Sequence, residues 1–125
     1  MLDEAIKLAA EIAKHAYAPY SKFPVGCVII DQTNEMHVGC NVENASYGLT
    51  MCAERNATGN AIASGAKQFK TIIIASREAV TPCGACRQVL AEFSAPETEV
   101  VLLDLDGNLR ERYSLTTLLP HQFKL

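Results

Sequence analysis

The chain has 125 residues, of which 49% are hydrophobic and 20% are charged. This size and composition predict one globular domain over residues 1–125 and exclude disordered and low-complexity classes. Eleven Lys and Arg against fourteen Asp and Glu give a net charge of -3 without a basic cluster, which excludes a polynucleotide partner and favours a small molecule.

The amino-terminal stretch carries charges that interrupt any export signal, and no apolar run approaches ~18 residues. We therefore expect a cytoplasmic protein that does not associate with a membrane. Five cysteines, an odd number, do not suit a complete disulfide framework. Free thiols or metal-binding thiolates are the alternatives.

The first half of the chain predicts a helix followed by a hairpin. Apolar residues at helical spacing from Leu2 indicate an amphipathic helix, which Pro19 ends at or before the preceding residue. Residues 25–31 and 36–41 are short apolar stretches around a polar spacer, which is typical of an antiparallel hairpin.

Two further helices each begin near a cysteine. An alanine-rich segment over 52–64 predicts a helix that stops at Gly65. Residues 71–75 form a continuous β-branched run, which predicts a central strand covered on both faces. Pro82 suits a first helical turn, so Cys83 is expected to open the next helix.

The remaining segments complete an α/β pattern. Residues 99–105 and 109–113 read as strands joined by a tight turn at 106–107, and 114–119 as a short last helix. The order αββαβαββα predicts an α/β sandwich with helices on both faces of one sheet.

The cysteines carry the chemical signal. Cys83 and Cys86 lie three residues apart on a helical turn, a spacing shared by redox pairs and by half of a metal site. Cys52 lies at another predicted helix start, with one predicted strand between the two helices. If these helices follow adjacent parallel strands, all three sulfurs meet at one edge of the sheet.

Three sulfurs so placed require a cation. At an effective dielectric of about 20, three thiolates ~4 Å apart repel by about 12 kcal/mol in total. Helix termini contribute only about 0.3–1 kcal/mol each. Three thiolate ligands with an open fourth position indicate a catalytic zinc site.

Charged residues flank these cysteines. Glu54 is a candidate general base for a zinc-activated water and acid for a leaving group, the alternative being a carboxylate that complements the helix dipole. Arg55 and Arg87 are either surface residues or donors to the sulfurs that reduce their negative charge.

At these residues the chain is similar to the small cytidine deaminases of the zinc-dependent nucleoside deaminase family. The matching stretches are APYSKFPVG at 18–26, GCNVENASY at 39–47, CAER at 52–55 and TPCGACRQV at 81–89. The resemblance implies a three-layer α/β/α sandwich with a mixed five-stranded sheet. It also implies a homotetramer whose sites are shared between subunits.

The resemblance implies roles for single residues as well. One Zn²⁺ per chain would be held by Cys52, Cys83 and Cys86, with Glu54 as the acid/base. The residues implied to bind substrate are Phe23, Asn41, Glu43 and Ala53, with Tyr47 and Phe123 lent to a neighbouring subunit's site.

Other residues match no ligand position. We expect Cys27 and Cys40 to be inert thiols in strands, and His15, His37 and His121 to lie on the surface or in loops. The segment 58–60 departs from the family, because Thr, Gly and Asn replace larger apolar residues. This difference bears on subunit packing.

The implied reaction is the hydrolytic deamination of cytidine and deoxycytidine in pyrimidine salvage. An antibiotic-type cytosine nucleoside is an alternative substrate. Nucleic-acid editing is disfavoured, since Cys52 stands where a His ligand would be expected and the chain lacks a basic channel. A structural zinc module lacks a fourth ligand, and a redox protein leaves Glu54 unexplained.

Overall fold

A computed structural model describes the whole chain from Met1 to Leu125. The helices are α1 (Leu2–Ala13), α2 (Ala53–Ala63), α3 (Gly84–Glu92) and α4 (Leu115–Leu118), with a 3-10 turn at Tyr47–Leu49. The strands are β1 (Gly26–Asp31), β2 (Met36–Cys40), β3 (Phe69–Ala75), β4 (Ser94–Leu103) and β5 (Leu109–Ser114). This order of helices and strands is the predicted one. None of the helices has the length and apolar character needed to cross a membrane.

The strands form one mixed sheet in the order β2-β1-β3-β4-β5. The β3–β4 pair is parallel and the other three pairs are antiparallel. The β-branched strand β3 lies at the centre, with Ile72, Ile73 and Ile74 buried. The mixed five-stranded sheet is therefore confirmed.

The strands before the two cysteine-bearing helices are not adjacent, and here the prediction is wrong. β1 lies between β2 and β3 and is antiparallel to both. Two strands antiparallel to the same neighbour run in the same direction. The carboxyl ends of β2 and β3 therefore lie at the same edge of the sheet, with β1 between the two strands.

Helices cover both faces of the sheet, as predicted. On one face α1 contributes Ala5 and Ala9 to a core with β-strand residues such as Val28. On the other face α2 and α3 contribute residues such as Ala57 and Leu90 to a larger core. Burial of this apolar surface, at roughly 25 cal/mol per Å², stabilises the three layers.

Two glycines let helices lie directly on the sheet. A Cβ at Gly39 in β2 would lie 2.3 Å from the backbone N of Ala57 in α2. A Cβ at Gly26 in β1 would lie 2.2 Å from the carbonyl oxygen of Ala9 in α1. The close contact at Gly39 fixes α2, and with it the segment that begins at Cys52.

Several element boundaries differ from the predictions, and at β4 and α3 the structure shows why. β4 begins at Ser94, five residues before the expected start at 99, because Ser94 pairs with Phe69 on β3. Pro82 lies outside α3, since Cys83 is the N-cap and the first helical residue is Gly84.

A buried carboxylate braces each β-hairpin in the same way. Asp31 Oδ1 accepts hydrogen bonds from the backbone N–H groups two and four residues along, at 2.8 and 3.0 Å. Asp104 Oδ1 accepts the equivalent pair at 3.0 and 3.0 Å. The other carboxylate oxygen of each aspartate contacts a side chain six residues along the chain. His37 lies 2.8 Å from Asp31 Oδ2, and Arg110 lies 2.9 Å from Asp104 Oδ2. Each aspartate thus joins the turn to the returning strand.

His37 is therefore not a surface or loop residue, and that prediction is wrong. It lies in β2 with only 7% of its surface exposed, because Asp31 supplies a buried partner for its ring. His15 and His121 are exposed, as expected.

We predict that Asp31→Ala lowers the free energy of unfolding by about 2–4 kcal/mol at pH 7, because it leaves His37 and two N–H groups without a partner. Burial raises the pKa of Asp31. Hydrogen bonds from His37, from Thr33 and from the Glu35 N–H lower it by a larger amount, so the net shift of the pKa is downward. The carboxylate thus contributes stability above its unfolded pKa of about 4, and this contribution is lost as the pH falls below that value.

Urea unfolding at pH 7 and at pH 3 to 4 measures the effect, which should shrink toward the lower pH. Asp106→Ala, at an exposed turn position, is the control and should change stability by less than about 0.5 kcal/mol. Equal losses in the two variants at pH 7 would contradict a bracing role for Asp31.

Candidate metal centre and adjoining pocket

The structure brings the three predicted cysteines together. Cys52 is the N-cap of α2, Cys83 is the N-cap of α3, and Cys86 lies in the first turn of α3. Their sulfur atoms lie within 4.8 Å of one another. Because α2 and α3 begin at the same edge of the sheet, side chains distant in sequence converge there.

The sulfur cluster fits a tetrahedral zinc ion. Zn–S bonds of about 2.3 Å imply S–S separations of about 3.8 Å, which the cluster accommodates. No fourth His, Cys, Asp or Glu joins the three cysteines. Cys86 is buried whereas Cys83 is exposed, so the cluster lies at the protein surface. Such a donor set leaves one coordination position for a solvent molecule.

Arg55 is the cation beside the sulfurs. One guanidinium nitrogen donates to Cys52 Sγ at 3.6 Å and to the Thr50 carbonyl oxygen at 3.3 Å. A hydrogen bond from the Cys86 thiol, with those from Arg55, lowers the pKa of Cys52. The same contact with Cys52 raises the pKa of Cys86. Of these two cysteines, Cys52 is therefore the one whose thiolate form the protein stabilises.

Arg87 does not donate to the sulfur atoms, which was one of its two expected roles. Its guanidinium donates to the carbonyl oxygens of Pro82 and Leu118, both at 2.7 Å, and to the Thr81 hydroxyl at 3.0 Å. None of these bonds reaches a sulfur atom. Arg87 instead ties the segment that leads into Cys83 to the end of α4.

Glu54 is the second residue of α2 and is buried, with 5% of its surface exposed. Burial, together with the negative charge of the neighbouring Cys52, raises the pKa of Glu54 to about 7. The charge on Glu54 in turn contributes to the raised pKa of Cys86. Glu54 thus interacts electrostatically with the sulfur cluster and is able to accept and release a proton near neutral pH.

Asn41 and Glu43 follow β2 and hold the loop before β1. Asn41 Oδ1 accepts from the Val25 N–H at 2.9 Å, and its Nδ2 donates to the Phe23 carbonyl oxygen at 2.9 Å. Glu43 accepts from the N–H groups of Tyr20 at 2.9 Å and Ser21 at 3.1 Å, and from the Ser21 hydroxyl.

Both side chains retain hydrogen-bonding capacity. A carboxylate offers about four acceptor positions and an amide two donors and two acceptors, so Asn41 and Glu43 each keep at least one. The Ser21 hydroxyl bond, followed by the backbone N–H bonds, holds the pKa of Glu43 below its usual value. Glu43 is therefore an ionised acceptor for hydroxyl groups at neutral pH.

A cavity of about 310 Å³ adjoins Glu43. Its lining residues are Tyr20, Ser21, Glu43, Tyr47 and Thr50. Sequence reasoning missed Tyr20, Ser21 and Thr50. Tyr20 and Ser21 lie inside the matching stretch 18–26, which was the available signal, whereas Thr50 lies outside all four stretches.

The other predicted substrate contacts are placed as follows. Phe23 is half-buried, and Ala53, which follows Cys52 in the chain, is fully buried in the core. Tyr47 and Phe123 are 75% and 69% exposed. The exposure of these two aromatic rings is what a contact with a second subunit would require.

Comparison with known proteins identifies the family. The model of the cytidine and deoxycytidylate deaminase zinc-binding region matches residues 1–102. A cytidine deaminase of Sporosarcina psychrophila is 44% identical over 122 residues, which cover 94% of this chain and 89% of that protein. The blasticidin-S deaminase of Bacillus cereus is 31% identical over 116 residues, covering 85% and 81%.

A solved structure has the same fold. The crystal structure of cytidine deaminase from Burkholderia pseudomallei superimposes with a TM-score of 0.91 at 42% identity, covering 98% of this chain and 99% of that one. The three-layer architecture and the family expected from the sequence are thereby confirmed. The chain belongs to the cytidine and deoxycytidylate deaminase family of zinc-binding proteins.

Proposed function

We propose that the protein catalyses the hydrolytic deamination of cytidine and deoxycytidine. Water replaces the amino group at C4 of the pyrimidine, so that uridine or deoxyuridine and ammonia are the products. The observation that carries the proposal is the placement of three cysteine sulfurs within 4.8 Å of one another, with the buried Glu54 two residues from Cys52.

Cys52, Cys83 and Cys86 would hold one Zn²⁺ per chain. When bound, zinc supplies a Lewis acid that makes a water molecule acidic near neutral pH. Arg55 offsets part of the negative charge of three thiolates by its hydrogen bond to Cys52 Sγ. Arg87 keeps the segment before Cys83 in place through its bonds to backbone carbonyls.

Glu54 would move the protons. As a carboxylate it accepts a proton from the attacking water, and it then donates a proton to N3 of the ring while the C4–O bond forms. It transfers the second water proton to the amino group, and the C4–N bond breaks with release of ammonia. A pKa of about 7 suits both steps, because accepting and donating are then nearly balanced.

Asn41 and Glu43 would bind the sugar. An ionised carboxylate and an amide that each retain bonding capacity are suited to ribose hydroxyls. Their existing bonds to residues 20–25 hold both groups in fixed orientations. Phe23 lies in that same loop and would stack on the pyrimidine.

We further propose a homotetramer in which subunits share sites. Exposed apolar side chains in support are Tyr17, Val42, Tyr47, Leu49, Met51 and Phe123. Five of these lie in or beside the segment that carries Glu43. Residues 1–125 would act as a single domain, and the reaction would serve pyrimidine salvage in the cytoplasm.

An antibiotic-type cytosine nucleoside is the second candidate substrate, and the similarity to a blasticidin-S deaminase favours testing it.

We predict ammonia release from cytidine and deoxycytidine that a chelator abolishes and added zinc restores. Initial rates on free cytosine and on an aminoacylated cytosine nucleoside should be at least ten times lower. A faster rate on the aminoacylated compound would replace the proposed substrate.

We predict that Cys83→Ser loses both zinc and activity, because two remaining thiolates do not form a stable site. Cys40→Ser removes a half-buried thiol outside the cluster and is the matched control. Metal analysis and thiol titration should give one zinc per wild-type chain. A Cys83–Cys86 disulfide that forms readily without metal would point to a redox protein instead.

We predict that Glu54→Gln keeps its zinc while kcat falls by roughly 10²- to 10⁴-fold, as expected when a general acid/base is removed. Zinc content and kcat are measured on the same preparation. A Glu54→Gln protein with wild-type kcat would contradict the proton-transfer role, and one without zinc would show that Glu54 acts on metal binding.

A further inference from the structure

Arg77 connects two loops that meet beside the candidate site. It lies in the segment between β3 and α3, which leads to Cys83. Its guanidinium donates a hydrogen bond to the carbonyl oxygen of Lys22. The same group lies over the Phe23 ring, with its central carbon 5.6 Å from the ring centroid. One side chain therefore contacts both a backbone group and an aromatic ring of the loop before β1.

The backbone that Arg77 contacts adopts an uncommon conformation. Lys22 has φ of 57°, in the left-handed region that residues other than glycine rarely adopt. Such a residue keeps its conformation only when its surroundings hold it. From one side Glu43 and Asn41 bind the backbone of Ser21 and Phe23. From the other side Arg77 binds the Lys22 carbonyl.

Arg77 is itself attached to a rigid position. The preceding residue, Ser76, is fully buried and its N–H donates to the Leu103 carbonyl oxygen at 3.1 Å. Its hydroxyl accepts from the Val80 N–H at 3.0 Å, which closes the turn. The backbone of Arg77 is therefore fixed to the end of the sheet, and its side chain reaches out to Phe23.

We propose that Arg77 is a positioning residue for Phe23. Its cation packs on one face of the ring, and the ring is thereby held so that its opposite face is available to the pyrimidine. Arg77 acts through Phe23 and the Lys22 turn and does not contact the substrate. The proposal rests on the proposed function, in which Phe23 stacks on the base.

Steady-state kinetics on cytidine tests the role in substrate binding. Loss of a cation–π contact and one hydrogen bond predicts that Arg77→Ala raises KM about 3- to 10-fold, with kcat within about 2-fold and zinc content unchanged. Arg77→Lys keeps a cation and a donor, so it should recover part of the loss. Lys7→Ala removes an exposed positive charge from α1 and should leave KM unchanged.

A double-mutant cycle tests whether Arg77 acts through the ring. In a Phe23→Leu background, Arg77→Ala should add less than about 2-fold to KM, because the ring that Arg77 positions is already absent even though the bond to the Lys22 carbonyl oxygen remains. An equal rise in both backgrounds would overturn the proposal. So would a fall in KM, which would mean that Arg77 covers the face that the pyrimidine needs, or a fall in kcat at constant KM.

A fluorine spectrum tests the contact without any turnover. The chain has four phenylalanines, so 4-fluorophenylalanine labelling gives four signals, and Phe23→Leu assigns the one from Phe23. Arg77→Ala should shift and narrow that signal and leave the other three in place, whereas Lys7→Ala should change none. An unmoved Phe23 signal overturns the proposal even if cytidine proves not to be the substrate. Absent ammonia release from the wild-type protein refutes the proposed function alone.

Discussion

The mutual repulsion of three thiolates is the constraint on which the site depends. Cys52 and Cys83 cap separate helices, and their sulfurs meet because β2 and β3 run in the same direction on either side of β1. Without a cation, proximity disfavours a second thiolate beside Cys52, and the hydrogen bond between Cys52 and Cys86 accordingly lowers the pKa of Cys52 and raises that of Cys86. A divalent ion removes the repulsion and makes the convergence stable.

The remainder of the site is built by short segments that hold one another. Asn41 and Glu43 bind the loop before β1, and that loop presents Phe23. Arg87 and Arg77 donate hydrogen bonds to backbone carbonyl oxygens in and around the segment between β3 and α3. The chemistry thus requires only a few groups, whereas their positions depend on many bonds to backbone atoms.

The sequence predicted what depends on local pattern. Helical spacing, β-branched runs and turn residues gave the order of elements, and cysteines at two helix starts indicated the metal cluster. Strand order was beyond these patterns, because adjacency of β2 and β3 depends on where β1 inserts. The burial of His37 and the bond of Arg87 to the Leu118 carbonyl oxygen were missed, because each depends on a partner six or more residues away.

Zinc X-ray absorption on the purified protein is a direct test of the three-cysteine site, because it counts the atoms around the metal. Three sulfur neighbours at about 2.3 Å and one lighter neighbour at about 2.0 Å are expected. Four sulfur neighbours, or two sulfurs with two nitrogens, would mean that the metal is held by another set of residues. Either result would contradict a catalytic centre built from Cys52, Cys83 and Cys86.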